Sequence, residues 1–175
     1  MSKNRQWAQQ IRDKWKNIGD NGGYYAGPVI GGVFIEDEKR IEVFDKSQYT
    51  EKVIVGTYTA ATAQHLNEAE RVAKADPDGW RKLDAISRQK ILMDVAHEFK
   101  KARGDLIGIA AAEVGKVFTE TDVEVSEAID FVNFYPYTLQ KMNALDGIDA
   151  TPRGVGLVIS PWNFPIAIPT GGIAA

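Results

Sequence analysis

The chain has 175 residues, of which 44% are apolar and 26% are charged, and these are the proportions of a globular protein with a buried core. Its net charge of −3 gives no electrostatic basis for binding nucleic acid. Because the sequence has no cysteine and only two histidines, it excludes disulfides and a cysteine nucleophile within these residues, and no metal site is expected.

The amino-terminal residues predict an amphipathic helix over 3–18. A helix with this basic character could lie on a membrane surface, but packing against its own domain or a preceding one is the commoner use of such a pattern. A glycine-rich linker over 21–27 follows it. The apolar stripe of the helix consists of Trp7, Ile11, Trp15 and Ile18.

The next segment has the short apolar runs of β-strands. Residues 33–35 and 41–44 flank a polar turn and predict a β-hairpin, and the β-branched residues of 52–59 predict a third strand. We predict the α/β class for the chain as a whole. Within its amino-terminal half, strands are followed by helices, which is an α+β order. The open edge of the hairpin predicts pairing with another domain or subunit.

Helical periodicity follows the strands. A first helix ends before Pro77, a second is capped by Ser87 and closed by Gly104, and a third, rich in small residues, covers 106–114. A fourth and longest helix covers residues 120–142.

Two features stand out after the third predicted helix. Pro136 lies inside the pattern of the longest helix, so we expect a kink or a break there. Residues 155–159 are wholly apolar and partly β-branched, which predicts a strand that is buried on both faces of a parallel sheet.

A turn bounded by Pro161 and Pro165 follows the predicted strand. It places the Asn163 amide at the carboxyl end of that strand, where open α/β sheets bind their ligands. A rigid turn that presents an amide donor suits an oxyanion hole. An ordinary turn in which Asn163 bonds its own backbone explains the same residues, so both interpretations stay open.

The residues from Pro152 to Pro165 read PRGVGLVISPWNFP and resemble the strand-and-turn signature of the NAD(P)-dependent aldehyde dehydrogenase superfamily. Residues 113–116, 120–122 and 127–131 resemble a helix of the 1-pyrroline-5-carboxylate dehydrogenases in that superfamily, although Pro136 departs from the aromatic-rich run usual there. The first helix is similar to the segment that precedes this dehydrogenase when it is fused behind a proline dehydrogenase.

The resemblance implies a parent enzyme that oxidises L-glutamate γ-semialdehyde to glutamate in proline catabolism. In that enzyme Asn163 would hold the oxyanion formed when a cysteine attacks the aldehyde, and Glu120 and Phe164 would lie near the substrate. A surface charge on a helix explains Glu120 equally well. The resemblance also implies a cleft for NAD or NADP that is lined by Ile159, Ser160, Pro161 and Trp162.

The predicted organisation has four parts: a helix and linker over 1–26, strands of the oligomerisation type over 27–60, a helical segment over 61–150, and the start of an NAD-binding domain over 151–175. We expect an amino-terminal fragment of a longer, homo-oligomeric enzyme, inactive alone because its nucleophile and later strands are missing. Residues 155–175 are then expected to expose apolar surface and to self-associate or be disordered. The alternative is a non-catalytic assembly module with the same architecture.

Neither a membrane span nor a secretory signal is expected. Residues 155–175 carry no charge, but three prolines among them would leave backbone groups unpaired in lipid. The amino terminus is basic without an apolar signal core, which favours a cytoplasmic location.

Overall fold

The computed structural model describes residues 2–16, 18–48, 50–148 and 151–175. The chain divides into two compact units, one made of residues 1–77 and 104–121 and the other of residues 78–103 and 122–175. The mixed helix and strand content confirms the predicted fold class, and the four-part organisation stays a prediction. The elements are α1 (Lys3–Lys16), β1 (Tyr24–Ala26), β2 (Val29–Ile30), β3 (Val33–Phe34), β4 (Ile41–Phe44), β5 (Ile54–Tyr58), α2 (Ala63–Ala75), α3 (Ala85–Val114), α4 (Phe118–Asn143) and α5 (Ala167–Ala174).

The first unit contains a three-stranded sheet in the order β1-β5-β4. The central strand β5 is parallel to β1 and antiparallel to β4, and its Val55 is buried. This confirms the predicted third strand. Strand β1 lies in the segment that was predicted as a linker because of its glycines.

The predicted hairpin is wrong in its pairing. Strand β3 pairs with β2 rather than with β4, and β4 pairs with β5. The connection from β2 to β3 is Gly31-Gly32, and both glycines have positive φ, 57° and 79°. Two consecutive residues with positive φ suit the tight turn of a two-residue hairpin, and glycine adopts this conformation without strain. The chain therefore reverses at Gly31-Gly32, before the polar turn that the sequence suggested.

Helix α1 packs within its own unit, as predicted. Its Ile11 is buried, and Ile11 and Trp15 face two glycines of α3, Gly104 and Gly108. The missing side chain of Gly108 makes room for Trp15, whereas a Cβ on Gly104 would make an ordinary contact with Ile11. Among the described residues, no helix is both long and apolar enough to cross a membrane.

Helix α3 is one continuous helix where two were predicted. Gly104 does not end it and lies inside the helix. The cap also differs from the prediction: the Ser87 N–H donates to Asp84 Oδ1 at 2.7 Å, so Asp84 caps the helix and Ser87 lies in its first turn. Helix α2 ends before Pro77, as predicted.

Helix α4 continues through Pro136, so the predicted break is wrong, whereas the kink stays a prediction. Proline removes one backbone donor from a helix interior. Nearby side chains make additional bonds to the backbone: the Asn133 amide donates to the Ile129 carbonyl at 2.9 Å, and the Thr138 hydroxyl lies 2.9 Å from the Phe134 carbonyl.

The strand predicted over 155–159 is absent: these residues have no regular secondary structure. Leu157 and Ile159 are 82% and 84% exposed. A strand needs a neighbouring strand to complete its hydrogen bonds, and all the strands among the described residues belong to the first unit. The predicted exposure of apolar surface here is confirmed, and self-association or disorder stays a prediction.

Candidate functional site

The candidate site is the turn of residues 161–166, which leads into α5 in the second unit. Trp162 and Asn163 form its bend, and both side chains are exposed, Trp162 to 78%. The turn ends at Ile166, which is 8% exposed, and the next residue, Ala167, is fully buried at the start of α5. The Asn163 amide therefore lies on an exposed bend immediately before a segment that is anchored in the core.

A buried carboxylate binds the backbone where the turn meets α5. Glu124 of α4 is 1% exposed, and its Oε1 accepts the N–H groups of Ile166 at 2.7 Å and Ala167 at 3.0 Å. Sequence reasoning missed this residue. The available signal was its position on the apolar stripe of α4, beside the buried Val125 and Ala128, since an acid there needs a polar partner.

Two glycines of α5 fix the rest of this short helix. A Cβ on Gly171 would lie 3.0 Å from the Phe131 ring, and one on Gly172 would lie 2.8 Å from a methyl group of Val158. The backbone of α5 therefore packs directly on a ring of α4 and on the segment before the turn. Both ends of the turn are thus attached to the packed part of the second unit.

The residues predicted to line a cofactor cleft are consecutive with Asn163. Ile159 and Trp162 are largely exposed, and Phe164 is 38% exposed, so their apolar surfaces are available to a ligand. The buried Ser160 Oγ has no hydrogen-bond partner among the described residues. Exposed apolar surface that includes an indole ring suits a ligand that carries rings, and a nicotinamide dinucleotide is such a ligand.

Glu120 belongs to the first unit and is exposed in the first turn of α4. A carboxylate there interacts favourably with the positive end of the helix dipole. The surface-charge interpretation fits this position, and a role near a substrate stays a prediction. Among the residues that the structure describes, no group of three or more acidic or histidine side chains could hold a metal ion.

The model of the aldehyde dehydrogenase family matches residues 34–175. A 1-pyrroline-5-carboxylate dehydrogenase of Bacillus mycoides (strain KBAB4) is 32% identical over 155 residues. The match covers 82% of this chain and 29% of that relative, so the chain spans less than a third of the length of this curated relative.

Solved structures give the same family. The 1-pyrroline-5-carboxylate dehydrogenase from Thermus with bound NAD is 25% identical, with a TM-score of 0.83, over 99% of this chain and 35% of that chain. Proline utilization A from Bdellovibrio bacteriovorus is also 25% identical, with a TM-score of 0.85, over 98% of this chain and 18% of that chain. With a family match over residues 34–175 and these two structural likenesses, the chain belongs to the aldehyde dehydrogenase family.

Proposed function

We propose that this chain is the amino-terminal part of an NAD(P)-dependent aldehyde dehydrogenase that oxidises L-glutamate γ-semialdehyde to glutamate. The observation that carries the proposal is the anchored turn, which presents the exposed Asn163 in a chain that matches the family over residues 34–175. The relatives are named 1-pyrroline-5-carboxylate dehydrogenases, and hydrolysis of this cyclic imine gives the semialdehyde, so the names support it as substrate. The Thermus structure with bound NAD supports the cofactor.

In the proposed reaction, Asn163 stabilises developing negative charge. When a thiolate adds to the aldehyde carbonyl, the carbonyl oxygen becomes an oxyanion, and the Asn163 side-chain N–H donates a hydrogen bond to it. The anchored backbone keeps this donor in place before the charge develops, so little reorganisation is needed during the reaction. The thiolate belongs to a residue outside these 175, since the sequence has no cysteine.

The other predicted site residues are given binding roles. Ile159, Ser160, Pro161 and Trp162 would hold the dinucleotide, which accepts a hydride from the substrate when it is bound. Phe164 would contact the aldehyde. These roles are proposals, and Trp162 and Ile159 are the two whose exposure makes them most accessible to a ligand.

We also infer that the sheet of the first unit serves assembly of a homo-oligomer. Strand β4 lies at an edge of that sheet and its Ile41 is 40% exposed, so its outer backbone groups can pair with a second copy. The cytoplasm is the proposed location.

The test begins with the reading frame that encodes these residues. The DNA beyond the Ala175 codon is sequenced, the complete protein is expressed, and reduction of NAD and NADP is followed with L-glutamate γ-semialdehyde. The proposal predicts a frame that continues to a cysteine and a protein that turns over the semialdehyde. A frame that stops after Ala175, or a complete protein without this activity, would refute it and leave the non-catalytic assembly module.

A further inference from the structure

We infer that Glu124 is a positioning residue for Asn163: its carboxylate fixes the backbone at the start of α5 and thereby sets the direction of the Asn163 side chain. The inference rests on the proposed function, because the direction of this amide affects turnover only if the amide binds the oxyanion. No sequence motif pointed to Glu124, and the geometry of the second unit assigns the role.

The first evidence is the pair of hydrogen bonds at the helix start. One oxygen of Glu124, Oε1, accepts both the Ile166 N–H at 2.7 Å and the Ala167 N–H at 3.0 Å. Because two successive amides converge on one atom, the orientation of the peptide between them is fixed as well as its position.

The second evidence is that α5 lacks a cap of its own. Its N-cap residue is Ile166, whose side chain has no oxygen, and Pro169 in the first turn has no N–H group. The first N–H groups of a helix have no partner inside the helix, and here Ile166 and Ala167 are buried, so water cannot replace a protein acceptor. Glu124 supplies the missing acceptor from α4.

The third evidence is the short and stiff connection to Asn163. Only Phe164 and Pro165 separate Asn163 from Ile166, and the ring of Pro165 fixes its φ angle. A change in the orientation of the Ile166 peptide is therefore passed to the bend. The packing of Gly171 on Phe131 is separate from the carboxylate, so loss of Glu124 would loosen the turn without detaching the rest of α5.

The test uses the complete protein and three substitutions. Glu124→Leu removes the acceptor at a similar volume, and Glu124→Gln keeps a carbonyl oxygen that can accept the same bonds. Glu127→Leu is the matched control, since Glu127 is an exposed acid on the same helix. With L-glutamate γ-semialdehyde and NAD, Glu124→Leu should lower kcat about 10- to 100-fold with little change in KM, as expected for a displaced transition-state donor. Glu124→Gln should recover most of kcat, and the control should match wild type.

A double variant separates positioning from a general loss of structure. If Glu124 acts through Asn163, Glu124→Leu should cause almost no further loss of kcat in an Asn163→Ala background, because coupled residues are not additive. A merely structural role would multiply the two losses. Wild-type kcat in Glu124→Leu, full multiplication in the double variant, or no recovery by Glu124→Gln would each overturn the inference.

Hydrogen exchange measured on the peptide that covers residues 160–170 tests the inference without relying on turnover. Glu124→Leu should speed exchange at Ile166 and Ala167, whereas Glu127→Leu should not, and equal exchange would overturn the inference whether or not the protein is active. If Glu124→Leu does not fold, Glu124→Asp, which withdraws the oxygen by one carbon, replaces it in both assays. An inactive wild-type enzyme with the predicted exchange pattern would refute the proposed function and leave the anchoring of the turn intact.

Discussion

Replacing Gly108 with alanine tests the packing of α1 on α3. A Cβ atom at this position would lie 2.5 Å from Cγ of Trp15 and still closer to two other atoms of the indole ring. Carbon atoms in contact lie about 3.5–4.0 Å apart, so Trp15 or the whole of α1 must move. Overpacking of this kind typically costs about 1–3 kcal/mol.

The helix itself favours the same substitution, so the two effects must be compared. Alanine stabilises a helix interior by about 0.8–1.0 kcal/mol relative to glycine. The packing cost should exceed this gain, and we expect Gly108→Ala to lower the free energy of unfolding by about 1 kcal/mol. Gly104→Ala is the matched control, because its Cβ would lie 3.5 Å from the nearest atom of Ile11, an ordinary contact, so that variant should gain up to about 1 kcal/mol.

Urea denaturation followed by tryptophan fluorescence and circular dichroism measures both variants. The two substitutions are chemically identical and lie one helical turn apart, so their opposite signs depend only on the neighbouring residues of α1. If Gly108→Ala proved as stable as Gly104→Ala, α1 would not pack on α3 as described.

Two further predictions concern pH and association. Burial raises the pKa of the Glu113 carboxyl, which accepts the Tyr24 hydroxyl, above its ordinary value of 4.5. Because this pKa is higher in the folded than in the unfolded state, the group stabilises the fold when the pH is below the unfolded-state pKa. The stabilisation is lost as the pH rises through the folded-state pKa. Glu113→Gln should therefore gain stability relative to wild type between pH 4.5 and neutrality in denaturation experiments, and a difference that does not vary with pH would contradict the burial of this group. The 175-residue chain should self-associate through its exposed Leu157 and Ile159, and the double substitution of both by lysine should give a smaller sedimentation coefficient. A wild-type chain that sediments as a monomer at all concentrations would refute this.

Elements with strong local signals were predicted correctly from the sequence. The apolar stripe of α1, the stop of α2 before Pro77 and the β-branched run of β5 each depend on residues within a few positions of one another. The same holds for the turn around Asn163, whose two prolines fix its backbone. The proposed chemical role of the amide rests on the family resemblance, because the turn alone left that role open.

Two of the wrong predictions depended on distant partners. Residues 155–159 have the composition of a buried strand, but a strand forms only beside another strand, and the second unit provides none among its described residues. Gly104 predicts a helix stop, but α3 continues through it and Ile11 of α1 packs beside it. The hairpin prediction failed for a local reason, because the Gly31-Gly32 turn directly before β3 pairs that strand with β2.

Glu124 shows what sequence patterns omit at a site. The sequence marks it only as an acid among apolar positions, and its partners are backbone N–H groups 42 and 43 residues away. Backbone donors carry no residue-specific signal, so no pattern of side chains predicts such a bond. Only the folded arrangement of α4 and α5 reveals it.

The most direct test of the proposed catalysis is the turnover number of Asn163→Ala in the complete protein, with L-glutamate γ-semialdehyde and NAD. Asn143→Ala is the control, since Asn143 is an exposed asparagine at the end of α4. Loss of an oxyanion donor predicts that kcat falls about 10²- to 10³-fold in Asn163→Ala while KM changes little and the control matches wild type. Equal kcat values for the wild type and Asn163→Ala would contradict the role of this amide in the reaction.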